Sequence, residues 1–295
     1  MKPEIELDAY FRRIGYRGPR TPTLATLRAI HLLHPQAIPF ENLDPFLGRP
    51  VLLDPAALER KLVRDGRGGY CFEQNLLLEH VLEGLGFDVT GLAARVLWNA
   101  PEGAVTARGH MLLRVDLDGE SYVADVGFGG LTLTAPLHLE TGVEQATPHE
   151  RFRLLVVGDA FVMQAAVRGE WKALYRFDLQ EQLLPDYEVS SWYLANHPRS
   201  HFVTGLVAAR AGADRRWALR GTELAVHHLD GRTERRVLAD AKELREVLEG
   251  PFGLALPDEP GLDAALERLI ARAADASRSE PPAVESAALR SVLAS

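Results

Sequence analysis

The sequence predicts an α+β protein in which helices come first, antiparallel strands follow, and a segment of strands and helix ends the chain. Three observations support this order. Apolar residues recur at helical spacing over the first eighty-odd positions. From Phe87 the chain breaks into short runs rich in β-branched and aromatic residues, separated by turn residues. Beyond Pro198, strand-like runs continue and then give way to a helical pattern.

The N-terminal helices are predicted from apolar spacing and from their start and stop residues. A first helix is expected around Ile5 to Phe11, and a second from Thr23 to Leu33, where Pro35 should end it. Asp54 followed by Pro55 is typical of a helix start, with Asp54 as the capping residue, and this helix should run to Gly66. The last helix begins near Cys71 and ends at Gly84 or Gly86.

The middle of the chain predicts an antiparallel sheet or small barrel. Asp118-Gly119 and, further on, Asp230-Gly231 are the dipeptides that favour tight hairpin turns. The middle runs are DVTGLAARVLW, HMLLRVDL, ESYVADV, RFRLLVVG, AFVMQAAVR and WKALYRF. The C-terminal runs are FVTGLVAARAG, RRWALRGTELAVHHLDGRTERRVL and DAKELREVLEGPFG. The tail from Ala271, interrupted by SEPP, is not expected to join the core.

Composition excludes several classes of protein. With 46% hydrophobic and 25% charged residues, the chain has an ordinary globular composition, and 295 residues suffice for two or three compact units. A net charge of −8 argues against nucleic-acid binding. No run of eighteen apolar residues and no signal-peptide core is present, so no membrane association is expected. The single cysteine rules out an internal disulfide and makes a cytoplasmic location the default. Scattered histidine pairs lack metal-site spacing, so no metal is expected.

The segment RGGYCF places this cysteine, Cys71, where a reactive thiol is favoured. Gly68 and Gly69 allow a sharp turn, after which Cys71 falls in the first turn of a helix. Unpaired backbone N–H groups and the positive end of the helix dipole favour a thiolate there. A buried structural cysteine is the alternative, and the motif alone leaves the two interpretations about equal.

The hairpin around Asp118-Gly119 supplies two partners. A two-residue loop pairs Leu117 with Glu120, which puts His110 and Asp125 on one face of the hairpin as diagonal neighbours. Their Cα atoms should lie roughly 7–8 Å apart, so the side chains can meet. The opposite face is apolar and should pack inward. Separately, a strand-start histidine and a strand-end aspartate are more often structural, but together with Cys71 they predict a nucleophile, a base and an orienting carboxylate.

The sequence resembles the arylamine N-acetyltransferase family along nearly its whole length. The shared motifs are AIPFENLD at 37–44, RGGYCFEQN at 67–75, GHMLLRV at 109–115 and ADVGFGG at 124–130. The resemblance implies an N-terminal helical bundle, a central antiparallel β-barrel and a C-terminal α/β lid, with a cysteine-protease-like Cys71–His110–Asp125 triad. The corresponding ranges are 1–86, 87–195 and 196–295, and the last is expected to end in a disordered tail.

The resemblance also implies ping-pong transfer of an acetyl group from acetyl-CoA to arylamines, N-hydroxyarylamines or arylhydrazines, with no tightly bound cofactor. Glu41 and Arg67 match a pair expected to support the nucleophile's loop. Asn196 departs from relatives that have threonine before the His-Pro dipeptide. The implied acceptor contacts are Phe40, Phe128 and Phe202. The implied CoA contacts are Gly127, Phe128, Gly129, Gly130 and Thr132, in a loop that taken alone indicates only a turn.

Two alternative activities remain open from the sequence. Macrolactam-forming amide synthases carry the same motifs, and a hydrolase or transglutaminase-like enzyme could use the same triad on an amide. A non-catalytic binding module is disfavoured because all three triad residues are present. The sequence leaves the oligomeric state and the physiological amine open.

Overall fold

The computed structural model describes residues 5–101, 103–258 and 260–279. The helices in this part of the chain are α1 (Leu7–Ile14), α2 (Leu24–Ala37), α3 (Leu43–Phe46), α4 (Pro55–Leu58), α5 (Cys71–Gly84), α6 (Leu184–Asn196), α7 (His201–Thr204), α8 (Ala241–Glu249) and α9 (Pro260–Ser279). The strands are β1 (Phe40–Glu41), β2 (Asp88–Val96), β3 (His110–Leu117), β4 (Glu120–Ala124), β5 (Leu137–His138), β6 (Gln145–Ala146), β7 (Arg151–Val157), β8 (Ala160–Val167), β9 (Glu170–Phe177), β10 (Val207–Ala211), β11 (Arg215–Arg220), β12 (Glu223–His228) and β13 (Thr233–Val237).

The N-terminal helices form as predicted, with one correction in α2. Thr23 caps this helix, since its hydroxyl oxygen accepts the backbone N–H of Thr26. The expectation that Pro35 ends the helix is wrong, because α2 continues to Ala37. Pro35 lies in the last turn, where it costs one backbone hydrogen bond, and the N–H of Ile38 still donates to the carbonyl of His34.

The helix that starts at Asp54 has an irregular second half. Asp54 caps α4 as predicted, with its Oδ1 accepting the N–H of Ala57 at 3.0 Å. The chain then widens into a π-helical segment, Glu59–Arg64, instead of continuing as a regular α-helix. After Gly66 the chain turns and α5 begins at Cys71, as expected from its glycines.

Eight antiparallel strands form a nearly closed barrel in the order β5-β4-β3-β2-β9-β8-β7-β6. The register of the β3–β4 hairpin is confirmed, with Leu117 opposite Glu120. Asp118 and Gly119 both have positive φ, of 53° and 83°, as a type I′ turn requires. The barrel interior holds Leu92, Ala94, Leu112, Val123, Phe152, Leu154, Met163, Leu174, Tyr175 and Phe177.

Both faces of the β3–β4 hairpin are buried, whereas only one face was expected to pack inward. Met111, Leu113 and Val115 pack against helix α5, in the same core as Phe72 and Leu76. The face that carries His110 and Asp125 turns toward the barrel interior. The two charged residues are therefore enclosed between two apolar cores, where they need partners.

A second antiparallel sheet follows the barrel, in the order β1-β10-β11-β12-β13. Its first strand, Phe40–Glu41, comes from the N-terminal part of the chain and pairs with Ala208 and Ala209. Helices α8 and α9 pack on this sheet through an apolar cluster that includes Leu244 and Leu266. Helix α9 reaches Ser279, so the tail expected from Ala271 begins as helix, and residues 280–295 lie outside the described residues.

Within 5–101, 103–258 and 260–279, the structure contains no helix with the length and apolar character needed to cross a bilayer.

Candidate active site

Cys71 is the first residue of α5, and the turn before it depends on two glycines. A Cβ atom on Gly68 would lie 2.0 Å from the carbonyl oxygen of Pro39, and one on Gly69 would lie 2.7 Å from Glu73 Oε2. The carboxylate of Glu73 also accepts the N–H of Tyr70 at 3.0 Å. The turn is therefore closely packed, and its geometry holds Cys71 at the helix N-terminus.

A buried cluster of acidic and basic side chains packs against this turn. Arg67 Nε donates to Glu41 Oε1 at 2.9 Å, so the expected pair forms, and Arg67 also contacts Asp44 at 3.2 Å. Lys61 lies 2.5 Å from Asp44 and 2.6 Å from Glu73. Burial raises the pKa of Glu73 to about 7, although the nearby Lys61 opposes this change. Each cation thus lies between two acidic side chains, and together they tie β1 and α3 to the start of α5.

His110 and Asp125 meet as the hairpin register predicts. His110 Nε2 lies 2.7 Å from Asp125 Oδ2, and both side chains are almost completely buried. Burial alone would lower the pKa of His110, but the charge and hydrogen bond of Asp125, together with Cys71, raise it to about 10. His110 is therefore an imidazolium at neutral pH.

Cys71 completes the group. Its Sγ lies 3.6 Å from the carbonyl oxygen of Gly109, the residue before His110. A side-chain hydrogen bond between Cys71 and His110 contributes to the raised pKa of the imidazole. Because Asp125 occupies Nε2, the ring nitrogen left for Cys71 is Nδ1. The three predicted triad residues thus lie together, in the order thiol, imidazole and carboxylate, an arrangement suited to nucleophilic catalysis.

One of the three predicted acceptor aromatics contacts this group directly, and the other two lie beside neighbouring residues. Phe128 packs edge-on against the His110 ring, with centroids 5.2 Å apart. Phe40 and Phe202 are 6.0 Å apart, and Phe202 also contacts Tyr70. Phe40 and Phe128 are half-buried, so part of each ring remains accessible.

The predicted CoA loop has an inner part and an outer part. A Cβ on Gly127 would lie 2.8 Å from Cys71 Cα, and the Gly127 N–H donates to Asp125 Oδ1 at 2.9 Å. Thr132 is also buried, and its hydroxyl donates to the carbonyl of Asp125. Gly129, with φ of 80°, and Gly130, with open space around it, form the outer part. The Gly127 N–H and the Thr132 hydroxyl therefore donate to Asp125, so neither donor is free to bind a ligand.

Comparison with known proteins identifies the family. A model of an N-acetyltransferase family matches residues 23–260. Arylamine N-acetyltransferase from Mycobacterium tuberculosis (strain ATCC 25618 / H37Rv) is 48% identical over 275 residues, which cover 91% of this chain and 97% of that protein. The chain belongs to the arylamine N-acetyltransferase family.

Solved structures and a further relative agree with this assignment. The structure of Mycobacterium marinum arylamine N-acetyltransferase in complex with CoA superposes with a TM-score of 0.87 at 45% identity, covering 90% of this chain and 99% of that one. A Salmonella typhimurium relative, 40% identical over 85% of this chain and 90% of its own length, is named arylamine N-acetyltransferase / N-hydroxyarylamine O-acetyltransferase. The α+β architecture predicted from the sequence is thus that of the arylamine N-acetyltransferases.

Sequence reasoning missed two residues that hold Asp125. Asn75 lies one helical turn after Cys71, and its Nδ2 donates to Asp125 Oδ1 at 3.0 Å. His31 Nε2 accepts the backbone N–H of Asp125 at 3.0 Å. The i, i+4 spacing of Cys71 and Asn75 within the RGGYCFEQN motif could have indicated Asn75. The contact of His31 joins residues far apart in sequence, and no local pattern predicts it.

Tyr175 is a third neighbour of the triad that the sequence did not indicate. Its ring centroid lies 5.0 Å from that of His110 and 5.1 Å from that of Phe128. Burial raises the pKa of Tyr175 well above its usual value, and the charge of Asp125 adds to this effect. The phenol therefore stays neutral and acts as an enclosing wall of the site.

Proposed function

We propose that this protein transfers an acetyl group from acetyl-CoA to arylamines by a ping-pong mechanism through an acetyl-Cys71 intermediate. One observation carries the mechanism: Cys71 starts a helix beside a His110 that Asp125 keeps as an imidazolium. In the proposed mechanism the Cys71 thiolate is the nucleophile and the His110 imidazolium is its counter-ion, so no base outside these residues is needed.

In the first half-reaction, the Cys71 thiolate attacks the thioester carbonyl of acetyl-CoA. The backbone N–H of Cys71 is among the first helix N–H groups, which lack partners inside the helix, so it can donate to the oxyanion. The tetrahedral intermediate collapses, the C–S bond to CoA breaks, and the imidazolium of His110 gives its Nδ1 proton to the CoA thiolate. Acetyl-Cys71 and a neutral His110 remain.

In the second half-reaction, the neutral His110 becomes the base. The amine nitrogen attacks the acetyl carbonyl, and Nδ1 of His110 accepts a proton from that nitrogen. Collapse of this intermediate releases the N-acetylated amine and regenerates the Cys71 thiolate beside the imidazolium. Asp125 holds the same hydrogen bond to Nε2 in both halves, so the ring keeps its orientation.

Substrate contacts are proposed from the positions of the aromatic rings and the loop. Phe40, Phe128 and Phe202 are suited to contact an aromatic acceptor, because Phe128 packs against His110 and the rings of Phe40 and Phe128 are partly accessible. The loop from Gly127 to Thr132 is the proposed seat of CoA, and Gly129 and Gly130 are among its partly accessible residues. N-hydroxyarylamines are supported as further acceptors by the Salmonella relative's name, and arylhydrazines by the family resemblance.

The division of the chain into 1–86, 87–195 and 196–295 and a location in the cytoplasm are further parts of this proposal. The two sheets support the division, although β1 crosses it by joining the C-terminal sheet. The lone cysteine, which forms no disulfide, supports the location.

Intact-protein mass measurement after incubation with acetyl-CoA alone tests the mechanism. One acetyl group should appear on Cys71 without any amine, and it should be absent from a Cys71→Ser variant. Addition of an arylamine should remove the acetyl group and yield the acetylated amine. An adduct that forms only when amine is present would indicate a ternary-complex mechanism. Loss of the adduct to water at the same rate with and without amine would indicate a hydrolase.

A further inference from the structure

Arg216 is a buried arginine that lies outside the triad and its immediate partners. It belongs to strand β11 of the C-terminal sheet and is 2% exposed. Its Nε donates to Glu150 Oε1 at 2.9 Å, and its Nη2 donates to Glu150 Oε2 at 2.6 Å. The same Nη2 donates to the backbone carbonyl of Thr132 at 2.9 Å. The guanidinium therefore joins three segments: the C-terminal sheet, the residue before strand β7, and the loop that follows Asp125.

Thr132 carries this connection toward the triad. Its hydroxyl donates to the carbonyl of Asp125 at 3.1 Å and accepts the backbone N–H of Phe128 at 3.3 Å. Its own N–H donates to the carbonyl of Gly129 at 3.1 Å. Thr132 is thus bonded to Phe128 and Gly129 within the loop through its hydroxyl and N–H, while its carbonyl is held by Arg216.

This loop forms one wall of the site. The Phe128 ring packs against His110. On the other side of the loop, a Cβ atom placed on Gly129 would lie 3.6 Å from the ring of Phe40. A displacement of the loop would change the space between Phe128 and Phe40, where the aromatic acceptor is proposed to lie. Asp125 has separate supports in Asn75 of α5 and His31 of α2, so the geometry of the His110–Asp125 pair does not depend on this wall alone.

We propose that Arg216 is a positioning residue for the amine acceptor, acting through Thr132 and the Phe128–Thr132 loop. The inference rests on the proposed function, because it assigns a role in the second half-reaction. A buried guanidinium with two partners in fixed directions suits this role, since its planar fork sets both distance and angle. Lysine at this position would keep the charge but could not reproduce the bidentate contact with Glu150 while reaching Thr132.

The test compares Arg216→Lys with Arg215→Lys, a change at the adjacent residue of the same strand. Arg215 pairs with Asp214 at the surface, with 37% of its side chain exposed, so its replacement controls for loss of an arginine from β11. Two quantities are measured for each protein: the rate at which N,S-diacetylcysteamine, a small thioester without an aromatic ring, acetylates Cys71, and kcat/KM for an arylamine. The thioester is a small donor without a CoA moiety, and in a ping-pong reaction kcat/KM for the amine reports the second half-reaction.

For Arg216→Lys, kcat/KM for the amine should fall about tenfold, as expected for loss of hydrogen bonds to a charged group. Acetylation by the thioester should stay within about twofold of the wild-type rate, and Arg215→Lys should change neither quantity. If Arg216→Lys does not fold, Glu150→Gln provides the same comparison, because it removes the charge of the partner at nearly constant shape.

An unchanged kcat/KM for the amine would overturn the inference. Equal losses in both quantities would also overturn it, since Arg216 would then support the triad or the fold in general. Failure of the wild-type protein to form acetyl-Cys71 would count against the proposed function instead.

Discussion

Hydrogen-bond donors on both oxygens fix the orientation of the Asp125 carboxylate. Oδ2 faces His110 Nε2 at 2.7 Å, and Oδ1 accepts from Asn75 Nδ2 at 3.0 Å and from the Gly127 N–H at 2.9 Å. Burial alone would raise the pKa of Asp125, but His110 and these donors lower it. Asp125 is consequently an anion, and its partner nitrogen on His110 must carry a proton.

Replacement of Asp125 by asparagine should therefore change the protonation of His110. The side-chain oxygen would remain with Asn75 and the Gly127 N–H, so the new NH₂ group would face His110 Nε2. Nε2 would have to accept, the remaining proton would move to Nδ1, and Nδ1 could no longer take a proton. In serine-protease triads the equivalent change costs about 10⁴ in turnover. We expect acetyl transfer in Asp125→Asn to fall by about 10²–10⁴, measured as single-turnover transfer to an arylamine.

Asp116→Asn is a matched control on the same hairpin, because Asp116 bonds to Arg114 and Ser121 instead of a triad residue. It should leave transfer near the wild-type rate. Thermal melting of Asp125→Asn separates two roles. Near-normal turnover with a much lower melting temperature would show that Asp125 only supports the fold.

At the scale of elements, Asn75 joins helix α5 to strand β3 and to the residues that follow strand β4. Its Nδ2 donates to the Met111 carbonyl at 2.7 Å as well as to Asp125, and its Oδ1 accepts the N–H of Val126 at 3.0 Å. One side chain thus links the helix that begins at Cys71 to the strand that begins at His110 and to the segment that contains Asp125.

Asn75→Ala should affect both stability and rate. It leaves the Met111 carbonyl and the Val126 N–H buried without this partner, so the free energy of unfolding should fall by about 2–4 kcal/mol. Acetylation of Cys71 should slow by about 10- to 100-fold, because a small shift of α5 misaligns thiol and imidazole. Urea denaturation and the acetylation rate measure the two effects. Glu83→Gln, on the exposed side of α5, is the control, and a normal acetylation rate in Asn75→Ala would contradict the positioning role.

Local chemistry explains which elements could be predicted from the sequence. The β3–β4 register followed from Asp118-Gly119, because a turn of that type allows one pairing only, and this register brought His110 to Asp125. The end of α2 was predicted too early because Pro35 removes only one backbone hydrogen bond, and a helix tolerates that loss in its last turn. The burial of the His110 face could not be predicted, since it depends on strands more than forty residues away.

At the scale of the molecule, contacts between distant segments make up the part of the site that the sequence did not reveal. Phe40 joins the C-terminal sheet opposite Ala209, and Arg216 of that sheet reaches the loop after Asp125. Neither contact follows from periodicity or turn chemistry, because both depend on how the barrel and the second sheet pack. The proximity of Cys71, His110 and Asp125 was predictable because each of them belongs to a short motif with its own chemistry.

The two histidines of α2 connect the site to the stability of the whole fold. His34 is completely buried between Tyr10, 2.8 Å from its Nδ1, and Gln74, 2.7 Å from its Nε2. Burial lowers the pKa of His34 to about 4 and that of His31 to about 3. Both imidazoles are therefore neutral in the folded protein, and the backbone contact between His31 and Asp125 requires this neutral form.

These lowered pKa values predict that the fold loses stability in mild acid. An unfolded histidine takes up a proton near pH 6.5, whereas folded His34 does so only near pH 4, so the unfolded state binds more protons between these values. The stability contributed by neutral His34 is fully present above pH 6.5 and is lost as the pH falls toward 4. Between pH 7 and pH 5 this amounts to about 2 kcal/mol. His110 has the opposite sign, since its raised pKa gives stability that is lost only as the pH rises toward 10.

Comparison of His34→Gln with the wild type isolates this contribution from all other titrating groups. Urea denaturation at pH 7 and pH 5 should show that the variant, although less stable at pH 7, loses about 2 kcal/mol less than the wild type on acidification. Leu27→Ala, at a fully buried position of the same helix, is the control for general destabilisation. Because it removes no titrating group, it should lower stability equally at both pH values. If the free energy of unfolding falls equally in His34→Gln and the wild type on acidification, the prediction is wrong. The pKa of His34 would then not be lower in the folded protein than in the unfolded chain.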